Sequence, residues 1–359
     1  VHLRRLWLTD FRSYREADVA FDPGMTAVVG PNGQGKTNLL EAIAYLATLS
    51  SFRGAPTDAL VRAGAERAVV RAEAEREGRE LLLEAEIVAG GRNRAQLNKQ
   101  PLRRARDLLG ALRVTVFSPD DLALVKGSPG DRRGYLDETL VAQHPRYDQL
   151  RSDLDRVLRQ RGALLKQVGG RLDASAELTL DVFDAKLVTA GEALARARLE
   201  LVEAIGPVLA DAYDQVARRA AEVRARYDPP WLAEGLAPAL AAARRDDLRR
   251  GVTTVGPHRD ELELSIGGLP ARTHASQGEQ RSLALALRLA AHRVVAEASG
   301  SSPVLLLDDV FSELDPDRSA ALLRSLPPGQ TVLSTAAGLP PGAEPGAVIS
   351  VHEGRATAA

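Results

Sequence analysis

Residues 30–37 read GPNGQGKT and fit the pattern G-x-x-x-x-G-K-[ST]. The apolar run MTAVV (25–29) precedes them, and NLLEAIAYLATL, with apolar residues at helical spacing, follows. Strand, glycine-rich loop and helix in that order are what a phosphate-binding loop requires. The glycines let backbone N–H groups turn toward a β-phosphate, and the helix N-terminus faces the anion. Gly30, Pro31, Asn32, Gly33, Gln34, Gly35, Lys36, Thr37 and Asn38 are therefore the candidate nucleotide-binding residues. In this pattern Lys36 reaches the β- and γ-oxygens as a catalytic cation, and the Thr37 hydroxyl is a ligand for Mg2+. Of 47 basic residues only five are lysine, so a lysine kept inside the loop is conspicuous.

A phosphate loop calls for a second apolar strand ending in an acid. PVLLLDDVFSELD supplies Val304–Leu307 followed by Asp308 and Asp309. Asp308 is the expected second metal residue, and Asp309 is placed to polarise an attacking water. Upstream, THASQGEQRSLALALRLA puts Ser276, Gln277, Gly278 and Glu279 at the start of an apolar-periodic helix. Two readings stand: a second anion site at a positive dipole end, or an S-x-x-E capping box that only closes the helix.

The 359 residues exceed one compact core and suggest two domains, or one domain with an insertion. Apolar residues make up 45%, enough for a sizeable core, and the absence of cysteine excludes disulfides and thiolate metal sites. The opening VHLRRLWLTDFRSYREADV is broken by charge every few residues, unlike a signal peptide or anchor. No uncharged apolar run approaches the ~20 residues of a membrane span, so a soluble cytoplasmic protein with no membrane association is expected.

A formal net charge of −1 means any nucleic-acid contact must be regional. The stretch 92–106 carries Arg92, Arg94, Lys99, Arg103, Arg104 and Arg106 without an acid. It reads either as a salt-dependent, sequence-independent phosphate contact or as a solvated basic loop. No aromatic is interleaved, which favours duplex backbone over stacking on bases. RRDDLRR (244–250) is balanced by two acids and reads as a solvated helix face.

Along the chain, 8–29 alternates as strand, turn, strand before the loop and helix, and 69–97 reads as a meander of hairpins turned at REG and AGG. A short helix, the strand RVTVF and a proline-marked turn follow. Residues 132–167 and 176–225 have helical texture, separated by VGGRLDAS, and predict long antiparallel helices of ~50 Å. Strand texture returns with ELELSIGGLPAR. The expected fold class is α/β: a discontinuous P-loop head formed by 1–131 and 251–359, with a helical lobe inserted at 132–250.

The order of phosphate loop, SQGEQ, metal strand and SELD (312–315) resembles the ATP-binding cassette superfamily. LWLTDFRSYREADVAFDPGMTAVVGPNGQGKTNLLEAIAYLATLSSFR, SPDDLALVKGSPGDRRGYLD, VGPHRDEL and LLLDDVFSELDPDRSAALL are similar to the RecF family of DNA replication and repair proteins. That resemblance implies a head like those of SMC and Rad50 proteins, with a short lobe in place of the long coiled coil. It also implies ATP held between two chains of a homodimer, with Ser276, Gln277, Gly278 and Glu279 acting in trans on the partner's nucleotide. The implied work is ATP-dependent dimerisation on DNA at single-strand gaps and, with RecR and RecO, help in loading RecA. The family's ties to recombinational repair, replication restart and the SOS response come with it, as does a weak DNA-dependent ATPase that acts as a switch.

Three departures bear on turnover. The cassette glutamate is Asp309, TVLSTAAG offers Ser334 and Thr335 where a histidine is usual, and FSPDDL lies where a glutamine loop would be sought. Arg53 resembles an arginine that approaches nucleotide in such heads, with a structural salt bridge as the other reading. Arg259 is a candidate nucleotide or interface contact, and His258 has no chemistry assignable from spacing. Arg132 and Arg133 read as partner or DNA contacts, or as pins at the start of the lobe. The alternative function, the soluble ATPase subunit of a membrane transporter, is opposed by the helical insertion, the DD pair and the missing histidine. An SMC-like organiser is opposed by helices too short to bridge distant DNA.

Overall fold

The computed structural model describes residues 1–169, 172–217 and 221–358, and every count or absence below concerns those residues. They form two compact units: Val1–Leu122 with Asp211–Ala220 and Arg281–Ala359, and Ala123–Ala210 with Ala221–Gln280.

The first unit opens with β1 (His2–Phe11), β2 (Tyr14–Ala20), β3 (Met25–Val29) and helix α1 (Lys36–Thr48). It continues with β4 (Arg67–Arg76), β5 (Arg79–Val88), β6 (Arg94–Leu97), β7 (Gln100–Pro101) and β8 (Val114–Phe117). The expected strand, turn, strand ahead of the loop is a full hairpin plus β3, because the chain reverses at Arg12–Ser13, where Arg12 takes φ 53°. The meander is present, and Glu77 and Gly78 both adopt positive φ, the turn whose twist matches the flanking strands. A six-stranded antiparallel sheet results, in the order β2-β1-β4-β5-β6-β7.

After the second unit the chain returns with β12 (Val304–Asp308), α9 (Pro316–Ser325), β13 (Thr331–Thr335), β14 (Ala347–His352) and β15 (Arg355–Ala358). These build a second sheet ordered β15-β14-β3-β13-β12-β8, parallel except for β15. Strands buried on both faces read as continuous apolar runs, as MTAVV and VLLL do. Helix α1 packs against strands of both sheets, and Leu39, Leu40, Ile43 and Leu46 are fully buried.

The second unit holds α2 (Ala123–Lys126), α3 (Pro129–Gln143), α4 (Arg146–Val168) and most of α5 (Ala174–Ala217). It also holds β9 (Val223–Tyr227), α6 (Leu236–Arg250), β10 (Leu262–Ile266), β11 (Leu269–Pro270), α7 (Ala271–His274) and the first turn of α8 (Gln277–Ser299). Its bounds differ from the expected 132–250. Ser128 caps α3, so the helical region begins earlier. β9 pairs with β10 from Val223↔Ile266 to Tyr227↔Leu262, which ties 251–270 to this unit rather than to the head. The expected helix over 132–167 is interrupted at His144, extended at φ −144°, because the residue before Pro145 is driven out of the helical region. VRARY, which overlaps the end of the stretch read as helix, is a strand. Part of the VGGRLDAS turn and residues 218–220 lie outside the described residues.

Charge buried inside the second unit is paired. Arg161, fully buried on α4, donates to Asp184 of α5 at 2.7 Å, to Asp247 of α6 at 2.8 Å and to Thr253 at 2.8 Å. Arg198 forks onto Asp137 at 2.8 and 2.9 Å and reaches Pro257 O at 2.7 Å. Removing one partner of such a set strands a buried charge, whereas exchanging the set for apolar side chains is close to neutral. Arg161→Ala is expected to cost about 3–5 kcal/mol, read as a lowered urea midpoint. Arg161→Met is expected to cost less than Arg161→Ala, because it refills the volume while Asp247 keeps its bonds from Thr254 and Asp184 its pair with Arg244.

Candidate functional site

The parallel sheet explains how residues far apart in sequence meet. β3 delivers the loop 30–35 to its C-terminal edge, β12 delivers Asp308, and β13 lies between them in register Ser334↔Asp308 and Thr335↔Val29. Such edges are where ligands bind in open α/β sheets. Thr37 Oγ1 donates to Asp308 Oδ1 at 2.9 Å, and Ser334 Oγ donates to the same oxygen at 2.7 Å. Ser334 Oγ also accepts the Asp309 N–H at 3.1 Å. The serine in the place of the usual histidine is thus a fully buried bridge between the two acids.

The loop is shaped by close approach. A Cβ on Gly30, where φ is +152°, would lie 2.2 Å from the backbone oxygen of Val351. Gly35, at φ +119°, sits against Ser13 Oγ and the Tyr14 hydroxyl, which donates to Gly35 O at 3.0 Å. Gln34 is held from the other side: its Oε1 accepts the Glu353 N–H at 2.6 Å and its backbone O the Gly354 N–H at 3.1 Å. Gln34 is therefore engaged with the C-terminal hairpin by its side chain, which leaves its nucleotide role to the backbone.

Lys36 is buried and donates to Gly30 O at 2.8 Å and Pro31 O at 2.9 Å, using two of its three donors. Asn32, Gly33, Gly35, Lys36, Thr37, Asn38, Arg53 and Asp309 line a cleft of about 380 Å³. Burial pushes the Lys36 ammonium below its ordinary pKa, against the pull of Asp309 and Asp308. Burial also raises the Asp308 carboxyl, with Asp309 adding to the rise and the hydrogen bonds from Ser334 and Thr37 opposing it. Each charge would be relieved by an opposite one, a phosphate at Lys36 and a cation at Asp308.

The residues fit Mg2+ and a nucleotide phosphate. Two oxygens on adjacent corners of an octahedron with ~2.1 Å bonds stand roughly 3 Å apart, and Thr37 Oγ1 and Asp308 Oδ1 are 2.9 Å apart. Asp309, left-handed at φ 50°, lines the same cleft, and its buried Oδ1 has no protein partner.

The other predicted residues fall as follows. Ser276 and Glu279 form a reciprocal capping box: the Ser276 N–H and hydroxyl both donate to Glu279 Oε2 at 2.8 Å, and Glu279 N–H donates back to Ser276 Oγ at 3.3 Å. Ser276 and Gln277 are exposed beside Gly278, in the second unit, while the phosphate loop belongs to the first. The basic stretch occupies the β6–β7 edge of the antiparallel sheet, with Arg92, Arg94, Lys99, Arg103 and Arg104 exposed and Arg106 half-buried. It is less acid-free than its sequence: Arg94 lies 3.7 Å from Glu86 on the neighbouring strand, and Arg104 pairs with Asp107 at 2.9 Å.

Arg132 is a pin, forked onto Glu261 at 2.7 and 2.9 Å, and Arg133 donates to Asp260 O at 2.8 Å. His258 and Arg259 both contact Thr253 O. In FSPDDL, Asp121 accepts from Ser118 N–H and from Arg288, so the stretch is committed to structure. The Glu313 side chain of SELD lies outside the described residues. Ser13, Tyr14, Glu41 and Ser51 around the cleft had no motif to announce them.

The fold and site define a P-loop head of the SMC type. A family model described as RecF/RecN/SMC N terminal domain matches residues 2–331. The DNA replication and repair protein RecF of Streptomyces avermitilis is 48% identical over 353 residues, 94% of each chain. The chain belongs to the RecF family. A solved structure of the recombination mediator protein RecF with ATP in the RecFOR pathway superposes with TM-score 0.91 at 28% identity, covering 100% of this chain and 97% of that one. An Smc head bound to the C-terminal winged-helix domain of ScpA shares the fold at TM-score 0.60 and 19% identity, covering 100% and 97%.

The approach at Gly30 generates a test. Gly30→Ala is expected to lower the urea midpoint more than Gly33→Ala, which has nothing within 4 Å of its Cβ and bears only the positive-φ cost of about 1–2 kcal/mol.

Proposed function

We propose that this chain is an ATP-gated, DNA-binding recombination mediator that dimerises on DNA with ATP and helps load RecA at single-strand gaps. The observation that carries the reading is the junction of Thr37, Asp308 and Ser334 beneath a phosphate loop whose lysine is buried beside two acids. Lys36 and the loop N–H groups hold the β- and γ-phosphates, with Gly30, Asn32, Gly33, Gly35 and Asn38 shaping the cradle. Thr37 and Asp308 hold Mg2+, which supplies charge neutralisation at the phosphates. Asp309 Oδ1, without a protein partner, accepts a proton of the attacking water. A carboxylate one methylene shorter than glutamate, with no histidine beside it, suits slow hydrolysis that resets a switch.

The trans role of Ser276, Gln277, Gly278 and Glu279 requires the capping box to yield its hydroxyl to a partner's γ-phosphate. The exposure of Ser276 and Gln277 supports this. RecR and RecO are the expected partners, because the RecF structure that this chain resembles is described within the RecFOR pathway. The basic β6–β7 edge is the proposed DNA contact, with Arg92, Lys99 and Arg103 its main cations, Arg106 half-buried at its exit, and Arg94 and Arg104 partly neutralised. The transporter alternative is not favoured by the RecF relatives, and no described helix is long and apolar enough to cross a membrane.

Fluorescence anisotropy of a labelled gapped duplex tests this. Binding is expected to require ATP and Mg2+, to vanish in Lys36→Met, and to show a salt slope shallower by roughly 0.9 for each phosphate-contacting cation removed from the β6–β7 edge. DNA affinity indifferent to ATP, or ATP-independent flotation with lipid vesicles, would contradict it.

A further inference from the structure

Helix α1 is buried on nearly every side and apolar except at one interior position, Glu41, which is fully buried. A carboxylate there is expensive unless paired, and an apolar pair of similar volume would hold the helix as well. Glu41 is paired on two sides. Arg12, from the turn between β1 and β2, forks onto it at 2.7 and 2.8 Å, and Ser51, beyond the end of α1, donates its hydroxyl to it.

Those contacts continue to the cleft. Ser51 Oγ, with its proton committed to Glu41, accepts the backbone N–H of Arg53 at 3.1 Å. Gly54 N–H closes the same turn on Ser51 O at 3.1 Å. The Arg53 guanidinium lines the phosphate cleft, exposed, and reaches Asn38 Oδ1 at 3.4 Å. Asn38 in turn donates to Ser13 Oγ at 2.9 Å, and Ser13 adjoins Arg12. Arg12, Glu41, Ser51, Arg53, Asn38 and Ser13 thus form a closed ring around one wall of the cleft. Its only exposed guanidinium, among the described residues, ends in a long bond at the cleft, which a phosphate oxygen can replace with a shorter, charge-assisted one.

We propose that Glu41 is a positioning residue for the nucleotide: through Ser51 it fixes the turn that aims Arg53 at the phosphates. This rests on the reading of the cleft as a nucleotide site and adds a residue to it. Arg12 forks onto both Glu41 oxygens and so holds the carboxylate oriented. Ser51 converts that orientation into a fixed backbone at 51–54. The charge that meets ligand is Arg53, outside the glycine loop.

The test is a double-mutant cycle read by equilibrium binding of a fluorescent (mant-labelled) ATP with Mg2+. Arg53→Ala is expected to weaken binding about tenfold, the loss of one charge-assisted hydrogen bond. Glu41→Gln and Ser51→Ala are each expected to weaken it several-fold in the wild-type background, and neither to weaken it further once Arg53 is alanine. Ser51→Ala carries the test if Glu41→Gln fails to fold. If Glu41→Gln and Ser51→Ala cost as much in the Arg53→Ala background as in wild type, the ring is only structural and the proposal fails. It fails also if Arg53→Ala binds like wild type while Lys36→Met does not bind. If Lys36→Met binds like wild type, the nucleotide reading falls, and this proposal with it.

Discussion

Three hydrogen-bonded side chains at one edge of the parallel sheet organise the first unit. Thr37, Asp308 and Ser334 converge on a single carboxylate oxygen from the start of α1, the end of β12 and the end of β13. The junction exists only if three strands are in register, if the loop after β3 can fold back on itself, and if the chain returns after a whole second unit to add β12 and β13. Its charges are poorly solvated, so the folded head is pre-organised for groups that bring the missing charge, a cation beside Asp308 and an anion beside Lys36. What this edge can bind follows from that imbalance.

The second unit uses charge differently. Arg161 and Arg198 are buried and paired with acids from neighbouring helices, and Arg132 and Arg133 pin α3 to the segment at 260–261. Among the described residues only Lys36, Arg113, Arg132, Arg161 and Arg198 of the 47 Lys and Arg residues are buried, and many exposed ones face an acid across a strand or a helix turn. The exposed ones at the β6–β7 edge stand out against that background. So does Arg53, which ends at the phosphate cleft rather than on an acid.

The phosphate loop, the acid-ended strand and the capped helix at Ser276 were legible because each is a local pattern whose chemistry fixes its backbone. The family resemblance was legible for the same reason, spread over both ends of the chain. Limits appeared wherever the deciding partner is distant. VRARY alternates over only five residues, and it becomes a strand because β10, far along the chain, pairs with it. Glu41 reads as an ordinary polar position of α1 until Arg12 and Ser51 are brought to it. The basic edge looked free of acid because Glu86 reaches Arg94 across the sheet rather than along the chain. Pro145 is the exception, a local signal that places the break between α3 and α4 where the sequence reading had one continuous helix.

In the proposed dimer, each chain supplies half of what a shared nucleotide needs. Ser276 stands exposed with its hydroxyl committed to Glu279, and the account assigns that hydroxyl to the γ-phosphate of a second copy. Light scattering on the chain with and without ATP and Mg2+, beside Lys36→Met and Ser276→Arg, tests this most directly. The account predicts that ATP doubles the wild-type mass while both variants stay monomeric. A Ser276→Arg protein that dimerises with ATP like wild type would contradict it and leave SQGEQ as a helix cap alone.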